Sequence, residues 1–144
     1  IYSDDGQTPL RPPRSNSHAE LRLSEFSPYL PQAVVASEDK RYYWHFGVDP
    51  IGILRATVII SRGGDRQGGS TVTQQMARSL FRDYVGSQDS VGRKLREAIV
   101  ALKLETFYSK NFILETYLNR VFLGVDAYGF ESAARYYFDK SAKD

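Results

Sequence analysis

Helix starts and stops recur along this chain from Pro28 to Phe138 while strand signals stay few, so the architecture it predicts is mainly α. Thr71-x-x-Gln74 has the form of a capping box, in which a hydroxyl and an amide satisfy backbone donors left free in a first helical turn, and a helix to about Phe81 follows. On it Gln74, Gln75, Arg78 and Arg82 recur at three- and four-residue spacings, with Val72, Met76 and Leu80 on another side. Gly86 to Ser90 breaks the pattern. From about Val91 to Phe107 an amphipathic helix is predicted, with Leu95, Ala98, Ile99 and Leu102 as its apolar face and Arg93, Lys94 and Glu97 on the other. Ser109-Lys110 opens a further helix that turns Ile113, Leu114, Tyr117, Leu118 and Val121 inward and ends near Gly124, and a last helix includes Ser132 to Phe138.

Upstream, residues 1–20 carry Asp4-Asp5-Gly6, Pro12-Pro13 and Ser15-Asn16-Ser17, a turn-rich polar stretch that reads as an extended linker. Leu21-Arg22-Leu23 alternates as a short strand would. Ser27-Pro28 and Pro31 then start a helix through Ala33-Val34-Val35-Ala36 that delivers Glu38 at its C-terminal end. Asp49-Pro50 reads as an N-cap followed by proline at the first helical position, opening an apolar helix from Ile51 to Ile60. Apolar on most sides, that helix fits a central core position and a lipid interface equally well. Arg62 to Gly69, rich in glycine, is predicted to be a flexible loop.

Composition narrows the class. At 144 residues, with 42% hydrophobic and 25% charged side chains, the chain holds one folded domain and one core. A net charge of +2 is too mild to demand nucleic acid. The absence of cysteine removes thiol catalysis and Cys-ligated zinc, and His18 and His45 are too few for a His-rich metal site. No apolar run approaches the ~18 residues that span a bilayer. Beginning on Ile1 and stopping on Asp144 directly after a helix-like segment, the chain reads as an excised domain.

Ser37-Glu38-Asp39 places two carboxylates between an Ala/Val-rich segment and the ring cluster Tyr42-Tyr43-Trp44-His45-Phe46. Such a setting can desolvate a carboxylate and raise it toward the range of a general base. Taken alone, the stretch reads more readily as a helix end with aromatics packed beside it. Gly68-Gly69-Ser70-Thr71, glycines ahead of a helix N-terminus, has the shape of an anion cradle, although no Gly-Lys-Ser/Thr ending makes it a nucleotide-type phosphate loop. Arg78, Arg82, Arg93 and Lys94 would add charge to a diphosphate site if the two polar faces meet; otherwise these faces are simply solvated, with Glu97 bridging Arg93 and Lys94. Glu38 and Glu97 on separate helices are what glycosyl chemistry requires, one carboxylate to accept a proton and another to manage charge. His45 reads as a structural histidine, Trp44, Tyr42 and Tyr43 as core, and Glu115 with Asn119 as braces.

The blocks AVVASEDKRYYWHFGVD, GGSTVTQQMARSLF, GRKLREAIVALKLE, SKNFILETYLNRVFLG and AYGFESAARYYFDKSA together resemble the bacterial peptidoglycan glycosyltransferases, the polymerase domain of class A penicillin-binding proteins and of their monofunctional relatives. The resemblance implies a lysozyme-like, two-lobed helical fold over residues 21–144, truncated at its C-terminal side, with a groove between the lobes. It implies lipid II and the growing lipid-linked glycan as substrates, Glu38 as base on the acceptor hydroxyl, Glu97 as second essential carboxylate, and Asp39 as support for Glu38. Ser70, Thr71, Gln74, Gln75, Arg78, Arg82, Arg93 and Lys94 would line the donor side and hold the diphosphate, where moenomycin-type inhibitors also bind. The stretch after Pro50 would then face the membrane, on the extracytoplasmic side of the bacterial inner membrane, and a transpeptidase domain and a membrane anchor would belong to the full-length protein.

No cofactor is called for, a divalent metal ion is left open, and nucleic acid is not an expected partner. Departures from the family pattern are Arg78 where lysine is common, Tyr43 where phenylalanine is usual, and Val125-Asp126 in place of small or basic residues. Two other functions fit the residues less well: a lysozyme-like glycan-cleaving enzyme, and a non-enzymatic anion-binding module.

Overall fold

A computed structural model describes residues 20–61, 69–88 and 90–144. The expected linker, all but Glu20, and the expected glycine-rich loop, all but Gly69, lie outside the described residues. Among the described residues the chain forms a 3-10 turn, Leu23–Glu25, and seven α-helices: α1 (Tyr29–Glu38), α2 (Pro50–Ser61), α3 (Val72–Leu80), α4 (Arg82–Val85), α5 (Val91–Phe107), α6 (Lys110–Arg120) and α7 (Phe130–Phe138). Two isolated bridges, Phe46 with Val48 and Phe122 with Tyr128, are the β pairing found among those residues. This is the mainly helical architecture expected of the lysozyme-like fold.

Helix α3 is the centre of the domain. The predicted capping box forms: Thr71 Oγ1 accepts the Gln74 N–H at 3.1 Å, and Gln74 Oε1 accepts the Thr71 N–H at 3.0 Å. Beyond the cap, Val72, Met76 and Ala77 turn inward against Val100 and Leu104 of α5 and Ile113, Leu114, Tyr117 and Leu118 of α6. Each large side chain buried there contributes roughly 1.5–3 kcal/mol. Leu80, expected on the same side, is 41% exposed at the helix end. Tyr42 packs wholly buried beside this core and donates its hydroxyl to the Lys110 carbonyl at 2.7 Å.

Several sequence expectations change. Leu21 to Leu23 is not a strand; instead Asn119 gives Leu21 the two hydrogen bonds a partner strand would have supplied, at 2.9 and 2.8 Å, and Glu115 accepts the Leu23 N–H at 2.7 Å. Asn119 and Glu115 are braces, as expected. Helix α5 faces the opposite way from its apolar stripe: Arg93, Glu97, Val100, Ala101, Leu104 and Glu105 are buried, whereas Leu95, Ile99 and Leu102 are exposed. The charged residues go inside because each finds a partner there, Glu105 accepting from Thr73 Oγ1 at 2.6 Å and from Lys110 Nζ at 2.7 Å.

Helix α2 is no core helix in its described side chains, since Ile51, Ile53, Leu54 and Val58 are all exposed. Trp44 is 89% exposed and Tyr43 is exposed too, so of that aromatic trio only Tyr42 is core. Helix α6 stops at Arg120, ahead of Gly124, and α7, starting at Phe130, takes in the expected Ser132 to Phe138. Val125 and Asp126 both have positive φ, 41° and 58°, in the turn between α6 and α7. No helix among the described residues is long and apolar enough to cross a membrane.

Candidate active site

The two neighbouring carboxylates at the end of α1 part ways. Asp39 leaves the helix with φ −155° and ψ 73°, which turns its side chain into the protein while Glu38 stays exposed. Both Asp39 oxygens lie 2.9 Å from His45 Nε2, and Oδ2 also accepts the Val72 N–H at 3.1 Å. A carboxylate only accepts, so Nε2 carries the hydrogen. His45 is therefore structural, as expected: it holds Asp39, and Asp39 holds the first turn of α3. Thr71 completes the lock by donating its hydroxyl to the Gly47 carbonyl at 2.6 Å.

This arrangement changes the expected anion cradle. The Val72 amide is taken by Asp39 and the Gln74 amide by Thr71, so these first-turn donors of α3 do not face an incoming anion. The side chains of Thr71 and Gln74 are likewise occupied in the cap, at 2% and 4% exposure. The exposed cations lie further on, in the side chains of Arg78 and Lys94.

Glu38 is gripped from α3, where Gln75 donates Nε2–H to Oε2 at 2.9 Å. Gln75 is itself held from α6, because the Tyr117 hydroxyl donates to its Oε1 at 3.0 Å. Burial, with the nearby charge of Glu38, pushes the Tyr117 hydroxyl up to about 12, and Arg78 offsets part of that rise. The setting was expected to desolvate one carboxylate of the pair; the one it buries is Asp39, whereas Glu38, the expected base, is exposed.

One turn further along α3, Arg78 Nε stands 3.9 Å from Oε1 of Glu97. Glu97, on α5, is 1% exposed, a position no unpaired carboxylate could occupy without a large desolvation penalty. Arg93, one turn before it, donates Nη1–H to Oε1, and Lys94 Nζ donates to Oε2 at 3.0 Å. Lys94 also donates to the Ser70 hydroxyl. The two polar faces do meet, as the diphosphate reading requires. Three cations surround one carboxylate, leaving a surplus of two positive charges. Of these cations the Arg93 side chain is sealed at 7% exposure, whereas Arg78 and Lys94 are 50% and 43% exposed. Arg82 joins none of these pairs, because the helix breaks at Phe81 (φ −114°, ψ 40°) and Arg82 opens α4 beyond it.

A cleft of about 300 Å³ runs past Glu38, Lys40, Arg41, Arg55, Ser70 and Thr71. Its far wall was not anticipated from the sequence. There Arg41 Nη2 pairs with Asp49 at 2.6 Å, and burial would raise the Asp49 carboxyl but the Arg41 guanidinium and the Gly52 amide outweigh it and hold it below its usual range. Tyr117 was also missed as a site residue. The available signal was a phenol among Ile113, Leu114 and Leu118 on an inward face, since a buried hydroxyl needs a partner. Among the described residues no group of three or more His, Asp or Glu side chains is arranged to hold a metal ion.

Residues 6–144 match the family described as Transglycosylase, a span that takes in most of the stretch read as a linker. The chain is 41% identical over 145 residues to penicillin-binding protein 1A of Vibrio cholerae, covering 100% of this chain and 17% of that protein. It is 43% identical to penicillin-binding protein 1A of Neisseria flavescens and 42% identical to that of Haemophilus influenzae, again along the whole chain but over only 18% and 16% of those proteins. The chain thus spans less than a fifth of the length of these relatives. Because the match runs through both carboxylates and through the helices α1, α3, α5 and α6 that hold them, the chain belongs to the transglycosylase family.

Proposed function

We propose that residues 21–144 form the glycosyltransferase domain of an enzyme that polymerises lipid II into peptidoglycan strands in bacterial cell wall synthesis. The observation that carries this reading is the pair of stations on α3. Gln75 presents Glu38 as an exposed carboxylate, and one turn on, Arg78 meets Lys94 over the buried Glu97 to give an exposed surplus of positive charge. A base beside a cationic diphosphate site is what transfer of a sugar from a lipid diphosphate needs.

In this reading Glu38 takes the proton of the acceptor hydroxyl as that oxygen bonds to the anomeric carbon of the donor. The bond from that carbon to the diphosphate oxygen breaks, its electron pair leaves on polyprenyl diphosphate, and attack from the opposite face inverts the centre. Arg78 and Lys94, with Ser70, receive the diphosphate. Glu97 is the carboxylate that holds those cations in register and does not itself touch the sugar. Thr71, Gln74 and Asp39 keep α3 in place, and moenomycin-type inhibitors compete for the same cations. The exposed apolar residues of α2, Ile51, Leu54 and Val58, rest against the extracytoplasmic face of the inner membrane, where the lipid tails of both substrates lie.

The test is polymerisation of labelled lipid II by the intact protein. Glu38→Gln should lower the rate about 10²- to 10⁴-fold with little change in thermal midpoint, since an exposed side chain is altered. A rate equal to wild type rejects Glu38 as the base. Release of soluble fragments from purified glycan, with lipid II left unconsumed, would favour glycan cleavage instead.

A further inference from the structure

We propose that Tyr117 is a positioning residue for Glu38, acting from the core of the protein through the side-chain amide of Gln75. The proposal rests on the reading of Glu38 as the catalytic base.

Glu38 ends α1 and is exposed, so its side chain has several rotamers of similar energy and no packing to choose among them. What holds it is the Gln75 Nε2–H at 2.9 Å. An amide offers a donor end and an acceptor end, and it is held in one orientation when both ends are satisfied at once. The acceptor end of Gln75 is met by the Tyr117 hydroxyl at 3.0 Å. Tyr117 is 5% exposed and set between Leu114 and Leu118 on α6, so its ring is fixed by the core. With its hydroxyl pushed up to about 12, it remains a donor throughout the neutral range. The chain of donors thus runs from α6 through α3 to α1, and each link polarises the next. The aim of the base is decided by how three helices pack, not by α1 alone.

The hydroxyl is separable from the ring. Tyr117→Phe keeps the packing surface and removes only the donor, leaving Gln75 Oε1 without its partner. In the intact protein with labelled lipid II, Tyr117→Phe should lower kcat about 3- to 10-fold with KM unchanged, the pattern of a group that matters in the transition state. Gln75→Ala should lower kcat at least as much, and adding Tyr117→Phe to Gln75→Ala should cause no further loss, because the relay is already cut.

A readout free of turnover is the side-chain amide of Gln75 in a ¹⁵N–¹H spectrum, identified by its absence in Gln75→Ala. Its resonances should move in Tyr117→Phe. Unchanged kcat in Tyr117→Phe, an equal further loss in the Gln75→Ala background, or an unmoved amide would each overturn the proposal. If the wild-type protein fails to consume lipid II, the functional reading falls, and the amide resonances alone decide whether the relay exists.

Discussion

Gly47 shows how closely single residues are matched to this fold. Its φ is +72°, and a Cβ there would come within 2.9 Å of the Ala101 carbonyl, while its own carbonyl receives the Thr71 hydroxyl. Gly47→Ala combines a left-handed backbone with a clash against main chain that cannot move aside. It should destabilise the protein by about 3 kcal/mol in a urea titration. The neighbouring carboxylates Glu38 and Asp39 make a second residue-scale point. Read from the residues alone, the stretch left either carboxylate able to act, and it was the family resemblance that pointed to Glu38 as base with Asp39 as support. Which one turns outward depends on one backbone angle pair at the helix end, and side-chain chemistry carries no trace of that.

At the scale of elements, α3 organises the candidate site because its cap and the two side chains that reach Glu38 and Glu97, those of Gln75 and Arg78, belong to one short helix. Thr71→Ala removes the cap and the link to Gly47 together. It should cost about 1–2 kcal/mol of stability by denaturation and also lower lipid II polymerisation, because Gln75 and Arg78 move with the first turn. The capping box was readable because it is a local pattern over four residues. The orientation of α5 was not. Its apolar stripe Leu95, Ile99 and Leu102 suggested one inner face, yet the buried face carries Arg93, Glu97 and Glu105. Hydropathy ranks side chains one at a time, whereas a charge is buried when partners compensate it: Arg93 and Lys94 do so for Glu97 within α5 itself, while Arg78 and Thr73 reach Glu97 and Glu105 from α3, 19 and 32 residues away in the chain.

For the molecule as a whole, the two flanks of the described domain are tied together at Glu131 on α7. Its carboxylate accepts from the Ala142 N–H at 2.7 Å, the Ser141 hydroxyl at 3.0 Å and Arg135 Nε at 2.7 Å, while the Ala142 carbonyl receives the Ser27 N–H at 2.9 Å. Burial by itself would raise this carboxyl, but those donors outweigh it and hold it below the usual glutamate value of 4.5. A lowered value in the folded state means that the stabilisation is fully present above 4.5 and is lost as pH falls through the lowered value. Glu131→Gln should therefore cost about 1–2 kcal/mol at neutral pH and flatten the decline of the thermal midpoint below pH 4.5, measured by calorimetry across pH. The helical class, most helix positions, the cap of α3 and the candidate grouping of Glu97 with Arg78, Arg93 and Lys94 were legible in the sequence, because periodicity, capping and family blocks are short-range patterns. The tertiary structure alone settled which of the two carboxylates is exposed, which face of α5 is inside, that Asp39 takes the Val72 amide, and that a core tyrosine reaches Glu38 through Gln75. These depend on distances between helices far apart in the chain, and no local pattern encodes such distances.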